Sequence, residues 1–197
     1  EDRRERLLAA LAAYDEALKH YRPDTAPLDY AMTQNNRATL LSEIAGLPGE
    51  DRRERLLAAL AAYDEALIYR RPDTAPLDYA MTQGNLANLR LAWENVSDTD
   101  RRQNLGKALG HTLSALTWFE RLGHAPYAQQ AARQLMTISH ACGPLFEEIW
   151  ADLKAGPPPE WLASALEQAR GLAALPPVVQ EALAAFVQAR QSAEAES

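Results

Sequence analysis

Cysteine is nearly absent from this chain. Cys142 is the single one in 197 residues, so no intrachain disulfide forms and oxidative folding is not implied. Its expected role is that of a small buried apolar residue rather than a reactive thiol. Glycine is scarce at 9 residues and β-branched residues are few, while alanine and leucine dominate, so intrinsic propensity favours helix throughout and leaves essentially no sheet. No apolar run approaches the roughly 20 residues that a membrane helix needs, and no basic-then-apolar signal segment opens the chain. Positive charge is in deficit: 20 Lys and Arg against 27 Asp and Glu give a net charge of −7. Nucleic-acid binding draws most of its affinity from cations that neutralise phosphates, and anionic membranes attract the same groups, so neither is an expected partner. A soluble, cytoplasmic protein is expected. The chain opens at Glu1 inside a repeating pattern, which reads as a piece of something longer.

Motifs for chemistry are missing as well. There is no phosphate-cradling glycine loop, no nucleophile elbow and no paired-cysteine metal spacing. His140-Ala-Cys142 offers two ligands where a structural zinc takes four, and the plentiful carboxylates fall on expected solvent faces, where their geometry is unconstrained. The expectation is a non-enzyme with no cofactor and no metal.

What the chain does have is repetition. Residues 1–49 and 50–98 match at 34 of 49 positions without a gap. EDRRERLLAALAAYDEAL starts at Glu1 and again at Glu50, and RPDTAPLDYAMTQ at Arg22 and again at Arg71. Stacked supersecondary units carry this signature, each too small to bury its apolar face alone. In each unit a first stripe (Leu7, Ala10, Leu11, Tyr14, Ala17, Leu18, Tyr21) recurs at three- and four-residue steps and predicts a helix. Asp2 with Glu5, Asp51 with Glu54, and Asp100 with Gln103 mark capping-box starts at the same step. The last of these reveals a diverged third unit, in which Leu105, Ala108, Leu109, Ala115 and Leu116 align with Leu56, Ala59, Leu60, Ala66 and Leu67. Tyr14 and Tyr63 are expected in the core.

A second helix in each unit follows RPDTAP, from about Pro27 to Ala45 and from about Pro76 to Glu94, with proline suited to its first turn. Short connections join antiparallel neighbours. A third pair closes with a helix over Tyr127 to Ala141. Beyond Gly143 the pattern changes to helices around Leu145–Leu153, Trp161–Ala169 and Val178–Val187, then a polar tail expected to be frayed. The expected fold is therefore an all-α solenoid of antiparallel helix pairs. Its repeats span 1–141, in units of about 1–49, 50–98 and 99–141, and capping helices occupy 142–197. Trp118, Trp150 and Trp161 are expected to pack. The Arg-Arg pairs at 3/4, 52/53 and 101/102 are expected to be solvated, charge-balanced helix starts.

The spacings Ala10–Tyr14–Ala17 and Ala59–Tyr63–Ala66 resemble the second helix of a tetratricopeptide repeat, and MTQNNRATL and MTQGNLANL resemble the first helix of its longer, kinesin-light-chain-like variety. The likeness covers about residues 1–141. It departs in period, 49 rather than the family's usual 34, which implies longer inter-helix loops, and in Arg37 and Gly84, which stand where leucine and asparagine are usual.

The resemblance implies a right-handed superhelix whose first helices line a concave groove that receives a protein or peptide. Carried over residue by residue, the inward positions are Met32, Asn35, Asn36, Thr39 and Glu43, then Met81, Gly84, Asn85 and Asn88, with Asn95 extending the second set. Asparagine both donates and accepts, so it can pair with any peptide backbone. Counting from Tyr127, Arg133 falls where Asn36 and Asn85 fall and could anchor an acidic group. The partner-binding set is Asn35, Asn36, Thr39, Asn85, Asn88 and Arg133. The alternative expectation is an assembly or regulatory module, which self-associates or packs on another domain of a larger signalling protein. A homodimer through the unpartnered face of the first helix is the side expectation.

Overall fold

The computed structural model describes residues 2–93 and 98–168, and among these every regular element is helical. The helices are α1 (Asp2–His20), α2 (Pro27–Ile44), α3 (Arg52–Tyr69), α4 (Pro76–Trp93), α5 (Asp98–Arg121), α6 (Ala125–Cys142), α7 (Phe146–Asp152) and α8 (Glu160–Gln168), with a 3-10 turn at Gly143–Leu145 before α7. The protein is an all-α, repeat-type array of paired helices. It divides into two compact units, residues 1–89 and 90–197. The expected helix at 178–187, the polar tail and Asn95 lie outside the described residues.

In the first unit α2 packs between α1 and α3. Its contacts with α3 run in opposite directions along the two helices: Tyr30 meets Glu65 and Tyr69, Thr39 meets Tyr63, and Ala45 meets Arg52. That is an antiparallel pair, as a short connection dictates. The two RPDTAP turns fold identically. Ala26 N–H donates to the Arg22 carbonyl and Ala75 N–H to the Arg71 carbonyl, both at 2.8 Å, and Arg22 and Arg71 each reach an aspartate two residues on at 3.3 Å. Pro27 then occupies the first turn of α2, where a missing N–H costs nothing. Asp51 caps α3, its Oδ1 accepting from the Glu54 N–H at 3.0 Å. The third expected cap is displaced: α5 begins at Asp98, which places Asp100 inside its first turn.

The long period is spent on helices rather than loops. α2, α3 and α4 are each 18 residues long, and two such helices already exceed a 34-residue repeat. The connections at residues 21–26 and 45–51 take up the rest of the period.

Small residues and one aromatic ring make the core of this unit. Leu56, Ala59, Tyr63 and Ala66 are buried on α3, against Ala31, Ala38, Leu41 and Ile44 on α2 and Ala80, Leu86 and Ala87 on α4. Burial pushes the Tyr63 hydroxyl up to about 12, against hydrogen bonds from Thr39 and Ser42 that pull it down. On α1 the identical stripe is only half-buried, Tyr14 included.

In the second unit α5 packs on α6 and α7, and α6 on α7 and α8. The diverged stripe of α5 is core: Leu105, Ala108, Leu109, Ala115 and Leu116 are all buried. The helices after residue 142 belong to the same compact unit as α5 and α6. Trp150 and Trp161 are buried, and the Trp150 indole N–H donates to the Gly156 carbonyl at 2.9 Å.

The arginine pairs are more than solvated helix starts. Arg4 reaches from α1 to Glu50 at 2.6 Å, and Arg55 closes on the same carboxylate at 2.9 Å, whose side chain is only 6% exposed. Arg102 likewise spans from α5 to Asp152 on α7 at 2.9 Å. Arg52 and Arg101 donate to carbonyls at helix ends, Ala45 and Ala141.

Candidate functional site

The exposed side of α2 follows helical spacing through Leu28, Met32, Asn36, Thr39 and Glu43. Leu28 and Met32 are exposed large apolar residues, Asn36 is half-buried, and Thr39 and Glu43 are exposed. One repeat later α4 presents Leu77 and Asn88, both exposed, with Met81 and Asn85 half-buried between them. The two stripes correspond position by position, leucine to leucine, methionine to methionine and Asn36 to Asn85, with Thr39 matched by Asn88. Each helix thus offers an apolar end and a polar end.

A buried polar network holds these helices side by side. Asn35 Oδ1 accepts from Thr82 Oγ1 at 3.1 Å and from Asn85 Nδ2 at 3.3 Å, and Asn35 Nδ2 donates to Asn36 Oδ1 at 3.2 Å. Thr82 Oγ1 in turn accepts from Arg70 Nη1 at 3.1 Å, and Arg70 also faces the Asp78 carboxylate at 3.5 Å. Asn35, Thr82 and Arg70 are all buried. Burial lowers the Arg70 guanidinium pKa from its ordinary value, and Asp78 partly restores it. Position 35 of one repeat meets positions equivalent to 33 and 36 of the next, so α2 and α4 touch nearly in register, and short connections on either side of α3 give them the same direction.

This placement separates the expected site residues. Asn35 is 5% exposed and spends its amide inside the protein, so it positions the face rather than presenting itself to a partner. The physical reason is that α4 lies against this position, where Thr82 and Asn85 both donate to the Asn35 amide oxygen. Asn36 and Asn85 sit at the edge of the network. Thr39 is exposed, yet its hydroxyl is paired with Tyr63 Oη at 2.9 Å. Asn88 is exposed at the polar end of α4. Arg133 lies in the second unit, exposed on α6 along with Gln130 and Thr137. Five of the expected residues therefore belong to α2 and α4 in the first unit, and the sixth, Arg133, belongs to α6 in the second.

Sequence reasoning missed Thr82 and Arg70. Part of the signal was present: Asn35 and Gly84 differ between flanking positions that repeat, and Arg70 ends a three-residue run, 68–70, that departs from residues 19–21. It also missed a cavity of about 590 Å³ in the second unit, where Gly106 and Gly110 of α5 face Ile149 and Leu153 of α7. Two glycines at four-residue spacing in an alanine-rich helix were the available signal. His111 borders this cavity, and burial, with Arg90 and Lys107 nearby, depresses its pKa to about 4.

Among the described residues no group of three or more His, Cys, Asp or Glu is arranged to hold a metal ion, and no helix is long and apolar enough to cross a membrane. Cys142 is buried. Comparison with known proteins gives no match: no family model, no curated protein and no solved structure is significantly similar to this chain.

Proposed function

We propose that residues 1–89 form a non-catalytic, tetratricopeptide-type interaction module that binds a peptide or protein segment across the exposed faces of α2 and α4. The observation that carries this reading is the register-matched pair of stripes, Leu28, Met32, Asn36 and Thr39 beside Leu77, Met81, Asn85 and Asn88. A locked platform of this kind orders little on binding, so less of the gross interaction is lost to entropy. The leucine and methionine ends suit apolar side chains of a ligand, methionine adapting its shape to them. The amide ends suit the ligand's backbone. Arg133 enters this reading as an anchor for an acidic group on the second unit's own surface.

Replacing Asn36, Asn85 and Asn88 together would disturb the junction as well as the surface, so the test uses Met32 and Asn88, one exposed position from each stripe. A displayed random-peptide library is selected on the full chain, on a Met32→Lys/Asn88→Lys variant and on an Ala61→Lys control, which alters an exposed position of α3. A consensus enriched on the chain and the control but lost on the double variant is expected. A consensus indifferent to Met32 and Asn88, or none at all, overturns the assignment.

A further inference from the structure

One sequence occurs twice in this protein in two environments. Residues 1–18 and 50–67 are identical, yet Leu56, Ala59, Ala62, Tyr63 and Ala66 are buried on α3, while on α1 Leu7, Ala10, Tyr14 and Ala17 are half-buried and Ala13 is exposed. The difference has a single geometric source. α3 comes after α2 in the chain and packs on it, whereas α1 packs on α2 as its successor and has no described helix as its predecessor. The structure consequently shows, at α3, what completes this face: a helix with the pattern of α2.

From this we infer that the open face of α1 is a docking site for a partner helix that repeats the α2 pattern, seated on α1 as α2 is seated on α3. The contacts transfer by position. In the α2–α3 pair a threonine hydroxyl meets Tyr63 Oη at 2.9 Å, a tyrosine hydroxyl donates to Glu65 Oε1 at 3.1 Å, and Arg52 donates to a carbonyl at the C-terminal end of α2 at 3.5 Å. The receiving groups on α1 are Tyr14, Glu16 and Arg3. The partner helix carries alanines where α2 has the buried Ala31 and Ala38, because small residues let two helices approach closely, with leucine and isoleucine near its end as at Leu41 and Ile44. The last turn differs: His20 replaces Tyr69, so the tyrosine-on-tyrosine edge contact at 5.7 Å becomes tyrosine on histidine. This site is distinct from the α2 and α4 face and does not depend on its reading.

The test uses the full chain and a labelled peptide of residues 22–49, which carries α2 with both flanking turns. Fluorescence anisotropy is expected to show saturable one-to-one binding. Ala13→Arg should weaken it at least tenfold, because the equivalent Ala62 is 4% exposed under α2. Ala12→Arg should leave it unchanged, because both Ala12 and its equivalent Ala61 are exposed. A peptide with valine for Thr39 should bind about fivefold more weakly through loss of the hydroxyl on Tyr14. A free peptide must order its helix on binding, so the same segment is also fused ahead of Glu1, where tethering supplies an effective concentration on the order of millimolar. The fusion should raise the urea midpoint over a fusion of scrambled sequence, and Ala13→Arg should cancel the rise. Failure of both the peptide and the fusion overturns the inference. So does a homodimer in sedimentation that Ala13→Arg dissolves while the peptide does not compete, since the face would then belong to a second copy.

Discussion

Asn35 and Asn88 separate two uses of one residue type. Asn35 holds three bonds in a buried network, and removing it takes a partner from Asn85 and Asn36, while Thr82 keeps the Asp78 carbonyl and Arg70. Asn35→Ala should cost about 1–3 kcal/mol by urea denaturation, whereas Asn88, exposed on the α4 stripe, is read by its effect on peptide selection. The amide-rich face was legible from spacing alone. Which amide turns inward was not, because that depends on the side chain one repeat away. His111 makes a second residue-scale prediction. Its folded pKa of about 4 lies below the unfolded value of about 6.5, so the unfolded state takes up the proton first as pH falls. Stability is full above about pH 6.5 and declines towards pH 4, by up to about 3 kcal/mol from this group. Urea midpoints at pH 7.5 and 4.5 should differ less for His111→Gln than for the unaltered chain.

At the scale of the helix, α1 and α3 form a natural control pair. Ala59→Leu should overpack a fully buried position and cost about 1–3 kcal/mol. Ala10→Leu makes the same change at the same repeat position, half-buried on α1, and should cost distinctly less. Equal losses in calorimetry would contradict the difference in packing. Helix positions were legible because the stripe of leucine, alanine and tyrosine has a clean period and its punctuation, proline and aspartate, is repeated. A cap at Asp100 would start α5 at Arg101, and the helix begins three residues earlier, at Asp98. On α5 itself, a Cβ added at Gly106 or Gly110 would meet Ile149 or Leu153 at 3.5 Å, an ordinary contact. Gly106→Ala and Gly110→Ala should therefore stabilise the protein, each by up to about 1 kcal/mol of recovered helix propensity, read as a higher melting temperature.

For the molecule as a whole, the repeat period made the all-α array legible, but sequence identity could not convey environment. Of eighteen identical residues, five are buried on α3 while their counterparts on α1 are half-buried or exposed, because burial is decided by neighbours. The near identity also raises a problem of bookkeeping for the folding chain, since a helix could pair with the wrong copy of its partner and extrude a whole repeat. The buried network answers that problem. Asn35 and Arg70 each occur once, their counterparts being Gly84 and Tyr21, and they meet through Thr82 only when α2 and α4 are neighbours. A slipped pairing would bury a guanidinium or an amide without its partner. The polar junction thus serves as an address label, telling apart two segments that the apolar core treats as the same.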